Sequence, residues 1–168
     1  MVIVGIDPGA SKCGLAAINE AGKLIHKSTA SLFGEPCGRD AFLWMSDLYG
    51  QLRSNTPLIV VVEEYAMYGL KASVKNAYAM GRVTQAIIDA VHYCSIYYSV
   101  PCDIHTARAL DVRRFLTGNP SAKPAQIKEA LTLRGYTMRM NEHERDALGL
   151  ALYWLEIQVE PEHTPTRR

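Results

Sequence analysis

The chain has 168 residues, 48% of them apolar, and its 18 Lys plus Arg nearly balance its 17 Asp plus Glu, for a formal net charge of +1. That length suits one domain able to bury about two thirds of its unfolded surface, with the composition of a globular protein. No apolar run approaches the roughly 20 residues of a membrane span, and no basic stretch precedes an apolar core at the N-terminus, so a cytoplasmic protein without membrane association is expected.

In chain order, Val2, Ile3, Val4 and Ile6 make a buried strand, followed by a turn through Pro8, Gly9 and Gly14. Residues 15–18 resume the strand pattern, Asn19 to Gly22 form a hairpin turn, and residues 23–31 read as a third strand. The chain thus opens as an antiparallel meander, followed by a loop over 33–39. Asp40 is placed to cap a helix reaching about residue 54, with Phe42, Met45, Leu48, Tyr49 and Leu52 on its buried face. Residues 58–62 are apolar throughout, as a central strand covered on both faces requires. A longer helix is predicted over about 74–93, with Ala77, Met80, Gly81, Thr84, Ile87, Ile88 and Val91 inward. A short strand over 102–104 follows, then a helix capped by Thr106 and ending at Leu116. Lys123 and Pro124 open another helix to Arg134, proline being harmless at a first helical position. Asn141 with Glu144 three residues on is a capping box for the last helix, whose core positions are Ala147, Leu148, Ala151, Leu152 and Leu155. Residues 1–160 are expected to form one domain and 161–168 a disordered tail.

Cys13, Cys37, Cys94 and Cys102 are scattered with no CxxC pair, which argues against a structural zinc site, and reduced thiols are expected. Between His105 and Arg139, seven basic residues (Arg108, Arg113, Arg114, Lys123, Lys128, Arg134 and Arg139) face only Asp111 and Glu129, and an acidic stretch begins at Asn141. Such a basic segment suits a polyanion held near bound cations, although a solvated helical surface gives the same pattern.

The chemistry concentrates in carboxylates at three separated places. Asp7 closes the first strand, Glu63 and Glu64 close the fourth, and His143 and Asp146 stand three apart in the first turns of the last helix. A carboxylate ending an apolar strand is costly to bury unless it is paired or bound to a cation. Three antiparallel strands, a helix, a further strand and then helices suit an α/β fold of the ribonuclease H type, a mixed five-stranded sheet flanked by helices. In that topology the first and fourth strands are neighbours, so Asp7 and Glu63 project together. An i,i+3 pair shares a helix face and brings His143 and Asp146 to the same place. Neighbouring strand residues face opposite sides, and Glu63 rather than Glu64 is chosen. Oxygen-rich sites of this kind favour Mg²⁺ or Mn²⁺.

Gly5-Ile6-Asp7-Pro8-Gly9 with Gly14, then Val62-Glu63-Glu64, then His143 through Leu148, in this order and at these intervals, resemble the RuvC family of Holliday-junction resolvases over roughly residues 1–154. The departures from bacterial members lean towards a phage version. The resemblance implies a metal-dependent endonuclease that resolves four-way and other branched DNA, working as a homodimer because opposed strands need two active sites. Asp7, Glu63, His143 and Asp146 would hold two Mg²⁺ or Mn²⁺ ions, His143 falling where many members have aspartate, and Lys123 would lie close to the scissile phosphate. Lys12, Lys71, Lys75, Arg82 and Lys128 are candidates for phosphate contact, solvent exposure being the competing reading for each. Members often carry an aromatic three positions after the fourth-strand glutamate. Here Ala66 stands there, flanked by Tyr65 and Tyr68. Either Tyr68 takes over the stacking or the wedge is absent. A YqgF-like RNA-processing nuclease shares the Asp-Pro-Gly opening and is the alternative. A non-catalytic nucleic-acid-binding relative is another, and an actin-like ATPase would need a duplicated second domain.

Overall fold

The computed structural model describes residues 1–9, 12–32, 37–52, 56–64 and 74–159. Five strands, β1 (Val2–Asp7), β2 (Cys13–Asn19), β3 (Leu24–Ala30), β4 (Leu58–Glu64) and β5 (Cys102–Arg108), form one sheet in the order β3-β2-β1-β4-β5. β1 pairs antiparallel with β2, and β2 with β3, whereas β1–β4 and β4–β5 are parallel. The mixed sheet is therefore the expected one, with the first and fourth strands side by side.

Alternation along the strands divides the core in two. Val2, Val4 and Ile6 of β1 and Leu58, Val60 and Val62 of β4 pack beneath α1 (Cys37–Gln51) and α2 (Val74–Tyr98). Ile3, Ala16, Ile18 and Val61 face the other way, against α3 (Ala109–Thr117), α4 (Pro124–Leu133) and α5 (Glu142–Val159). Ile3, Ile6, Leu15 and Ile18 are fully buried, each such side chain contributing about 2 kcal/mol through lost apolar exposure.

The last helix rests on the centre of the sheet, against β1 and β2, with backbone nearly touching backbone. A Cβ at Gly5 would lie 1.9 Å from the Ala147 carbonyl oxygen, and one at Gly14 would lie 2.1 Å from that of His143. Any side chain at either position would hold the helix off. Its first turn is also tied down by polar contacts. The Glu144 amide donates to Asn141 Oδ1 (3.0 Å) and the Asn141 amide to Glu144 Oε2 (2.9 Å), which is the expected capping box. Lys27 of β3 pairs with the buried Glu144 at 3.2 Å, and Asn141 Nδ2 donates to Thr29 Oγ1 at 2.7 Å.

Several expected boundaries move. α1 begins at Cys37, so Asp40 lies within its first turn rather than capping it. α2 runs five residues past the expected end, to Tyr98, and Gly81 faces solvent while Val83, Ile87, Ala90, Val91 and Cys94 are buried. Thr106 belongs to β5, which extends to Arg108. Arg108 stands at the N-cap of α3 without a side-chain cap. Cys94 and Cys102 are free thiols. The expected tail over 161–168 lies outside the described residues. Among these, no helix is long and apolar enough to cross a membrane.

Candidate active site

Asp7 ends β1, and Glu63 stands one step beyond the Ile6–Val62 pair on β4, so parallel pairing sets the two carboxylates side by side at one end of the sheet. Asp7 continues the parity of Ile3 and Gly5, and Glu63 that of Val61, so both face α5. Glu64 has the opposite parity and is exposed. Because Gly5 and Gly14 let α5 descend onto these strands, its first turns arrive directly over the two carboxylates. There the His143 Nδ1 and Asp7 Oδ2 atoms hydrogen-bond at 2.6 Å. With Asp7 ionised, Nδ1–H donates, and the tautomer so fixed carries its lone pair on Nε2. Gly9 forms the wall behind the ring: a Cβ there would come within 2.8 Å of His143 Cε1.

The electrostatics follow from crowding acids into a half-closed place. Asp7 is only 9% exposed, and burial raises its pKa above the ordinary value of 3.8, outweighing the His143 hydrogen bond and charge. Burial, then the charges of Asp7 and Asp146, push Glu63 up to about 7. Burial, then the Asp7 charge, push Asp146 up to about 6. Burial dominates at all three, and the Asp7 charge further raises the proton affinity of both Glu63 and Asp146, as expected of like charges sharing a site.

Arg113 of α3 is the residue that sequence reasoning missed. Its charge lowers the pKa of Asp7, Glu63 and Asp146 alike, and it lines a narrow cleft together with Glu63, Asp146 and Ile127. In the sequence it was one arginine of a basic helical run. Its position in the first turns after β5 is the signal that could have marked it, since β5 adjoins β4. Glu142, at the start of α5, adds further negative charge near Asp7 and Asp146.

The structure therefore brings together Asp7, Glu63, His143 and Asp146. Lys123 is exposed immediately before α4, its amide accepted by Gln126 Oε1 at 2.9 Å, and Lys128 is exposed on α4. Lys12 is exposed just before β2. Arg82 lies on α2, across the sheet from the carboxylates. Tyr65, Ala66, Tyr68 and Lys71 lie outside the described residues, as does the side chain of Lys75.

No family model matches the chain. It is 27% identical over 160 residues, 90% of each protein, to the crossover junction endodeoxyribonuclease RuvC of Citrifermentans bemidjiense. The chain is thus similar to RuvC resolvases along nearly its whole length. Among solved structures, RuvC of Thermus thermophilus superposes with a TM-score of 0.68 at 22% identity, covering 95% of this chain and 96% of that one. The same protein in complex with a Holliday junction substrate superposes with a TM-score of 0.64 at 20% identity and the same coverage. The fold is ribonuclease H-like.

The donor set of three carboxylates and one imidazole suits a hard divalent cation, and the acids' proton affinities are raised chiefly by burial and then by like charge, which a bound cation would offset. Among the described residues, no three Asp, Glu, His or Cys side chains already close on one point. The Asp7–His143 hydrogen bond holds two of the would-be ligands against each other, and a cation would compete with it.

Proposed function

We propose that this chain is a structure-selective endodeoxyribonuclease that hydrolyses phosphodiester bonds in branched DNA, with the four-way junction as its preferred substrate. The observation carrying this reading is the shared face of Asp7, Glu63 and Asp146 beneath His143, in a chain similar to crossover junction endodeoxyribonucleases. Asp7, Glu63, His143 and Asp146 would hold Mg²⁺ or Mn²⁺, two ions per site. Such ions supply Lewis-acid polarisation of the phosphate and a water of lowered pKa.

The chain's own residues do the rest. Asp7 holds the His143 ring in one orientation through Nδ1 and keeps Nε2 turned away from itself. Burial of Asp7, Glu63 and Asp146 strengthens every charge interaction within the site. Arg113, already beside the carboxylates, offsets negative charge gathering on the phosphate, and Lys123 adds an exposed cation at the start of α4. Cleavage leaves 5′-phosphate and 3′-hydroxyl ends. Opposed strands of a junction require a homodimer, and the exposed apolar strip of α2 (Tyr93, Ile96 and Tyr97) with the α1–α2 groove is the surface for it.

The test is cleavage of end-labelled substrates by purified protein with Mg²⁺ or Mn²⁺: a four-way junction, a fork, linear duplex and structured RNA. Symmetric nicking of the junction is expected. Cleavage of RNA with no action on the junction would overturn the assignment in favour of RNA processing.

A further inference from the structure

Beside the carboxylate site, the seam between α4 and the start of α5 opens into a second cleft of about 290 Å³, and its charged lining is cationic: Lys128, Arg139 and Arg145. We propose that this cleft seats a backbone phosphodiester of the DNA strand whose neighbouring phosphate occupies the active site. The proposal rests on the nuclease reading and adds to it a binding subsite and the residues that form it.

Position is the first argument. Ile127 borders the narrow cleft of Glu63, Arg113 and Asp146, and its neighbour Lys128 borders the cationic one. On α5, Asp146 faces the first and Arg145 the second. Consecutive residues of the same two helices thus line the two clefts, which makes the clefts neighbours.

Charge is the second argument. The acids nearest in sequence are turned elsewhere: Glu144 is held by Lys27 and Asn141 on the sheet side, Glu142 acts on Asp7 and Asp146, and Glu129 lines a different hollow with Arg134. The lining of the cationic cleft contains no carboxylate. The Arg145 guanidinium is oriented by donating Nη1–H to the Met140 carbonyl at 2.7 Å, while Lys128 and Arg139 are exposed. An ordered guanidinium and two exposed cations lining one cleft suit the non-bridging oxygens of a phosphodiester, and Thr137 adds a hydroxyl to the lining.

The experiment is equilibrium binding of a labelled four-way junction by the full chain at several salt concentrations with Ca²⁺ present, comparing wild type with Lys128→Ala/Arg139→Ala. Both substituted residues are exposed, and Arg145, which supports the turn before α5, is left alone. One phosphate contact contributes a slope of about 0.9 in log affinity against log salt, or roughly tenfold at 0.1 M. The double variant should therefore bind roughly tenfold more weakly, with a salt slope lower by about one. Lys23→Ala, in the β2–β3 turn, should change neither. Calorimetry with inorganic phosphate runs in parallel. A wild-type affinity and slope in the double variant would overturn the proposal while leaving the nuclease reading intact. Heat from inorganic phosphate that the double variant loses, with junction binding unchanged, would overturn it in favour of a free-anion site. Wild-type protein that binds no branched DNA would remove both readings together.

Discussion

Glu63 shows how position changes the chemistry of an ordinary acid. Its pKa moves from 4.5 to about 7, through burial first and the charges of Asp7 and Asp146 second. A raised pKa means that the folded state holds a proton the unfolded chain has already released. Stability from this group is therefore complete below about pH 4.5 and lost as pH rises through about 7. In metal-free protein the melting temperature should fall across that window, Glu63 alone contributing of the order of 3 kcal/mol. Glu63→Gln should flatten the fall, and scanning calorimetry between pH 4 and 8 checks it; an equally steep profile in the variant would contradict the assignment. At pH 8, millimolar Mg²⁺ should raise the wild-type melting temperature, because a ligand of the native state alone stabilises it. It should raise that of Glu63→Gln less. Asp7 makes a sharper case, since it is the most buried of the four and the one His143 touches. Asp7→Asn should lower junction cleavage by at least about a hundredfold while junction affinity stays the same or tightens, because one negative charge facing the DNA is gone. Parallel cleavage and binding assays separate the two effects.

At the scale of elements, the site depends on how closely α5 approaches the sheet. The glycines of the first two strands do not only allow turns. Gly5 and Gly14 remove the side chains that would otherwise stand between α5 and β1–β2. Gly14→Ala would drive a methyl group onto the His143 carbonyl and lift the first turn, costing about 1–3 kcal/mol as an overpacked core position does. Cleavage should be lost with every ligand residue still present. Gly50→Ala, in α1 with open space around it, should be neutral or stabilising by about 0.5–1 kcal/mol. Denaturant melts and a cleavage assay on both variants test the contrast. The sequence made Asp7, Glu63, His143 and Asp146 legible because strand ends, alternation and an Asn141–Glu144 cap are local patterns that fix direction. Helix limits were less legible. Past Tyr93, α2 carries Ile96 and Tyr97 on its solvent side, so the amphipathic pattern fails while the backbone continues to Tyr98, stopping where Ser99 takes a φ of 53°. Arg113 was invisible for a related reason. A cation on a short helix looks the same whether it faces water or a carboxylate, until the strand before that helix is known to lie beside Glu63.

Across the whole molecule, the sheet separates two unlike surfaces. Its α3–α5 face carries the carboxylates, the arginine beside them and the cationic cleft. Its α1–α2 face carries a groove of about 650 Å³ lined by Arg39, Phe42, Arg82, Asp89 and Tyr93, with Leu43, Ile96 and Tyr97 exposed nearby. Apolar surface of this extent beside charges of both signs suits a self-complementary contact, in which a two-fold axis presents each subunit's basic residues to the other's acidic one. Two sites held on opposite sides of such an axis would cut opposed strands of a junction. Ile96 is the best place to test this, being 79% exposed and so of little consequence to the fold of one chain. Ile96→Glu would place a charge in the centre of the contact, where an unpaired buried carboxylate is costly. Sedimentation velocity should find the wild type at twice the chain mass and the variant at the chain mass. On a four-way junction the variant should leave single nicks where the wild type makes paired ones, with Mg²⁺ stabilisation unchanged because the carboxylates lie across the sheet. A dimeric Ile96→Glu variant would put the contact elsewhere on the molecule. A monomeric wild type that still made paired cuts would mean that one site visits both strands in turn.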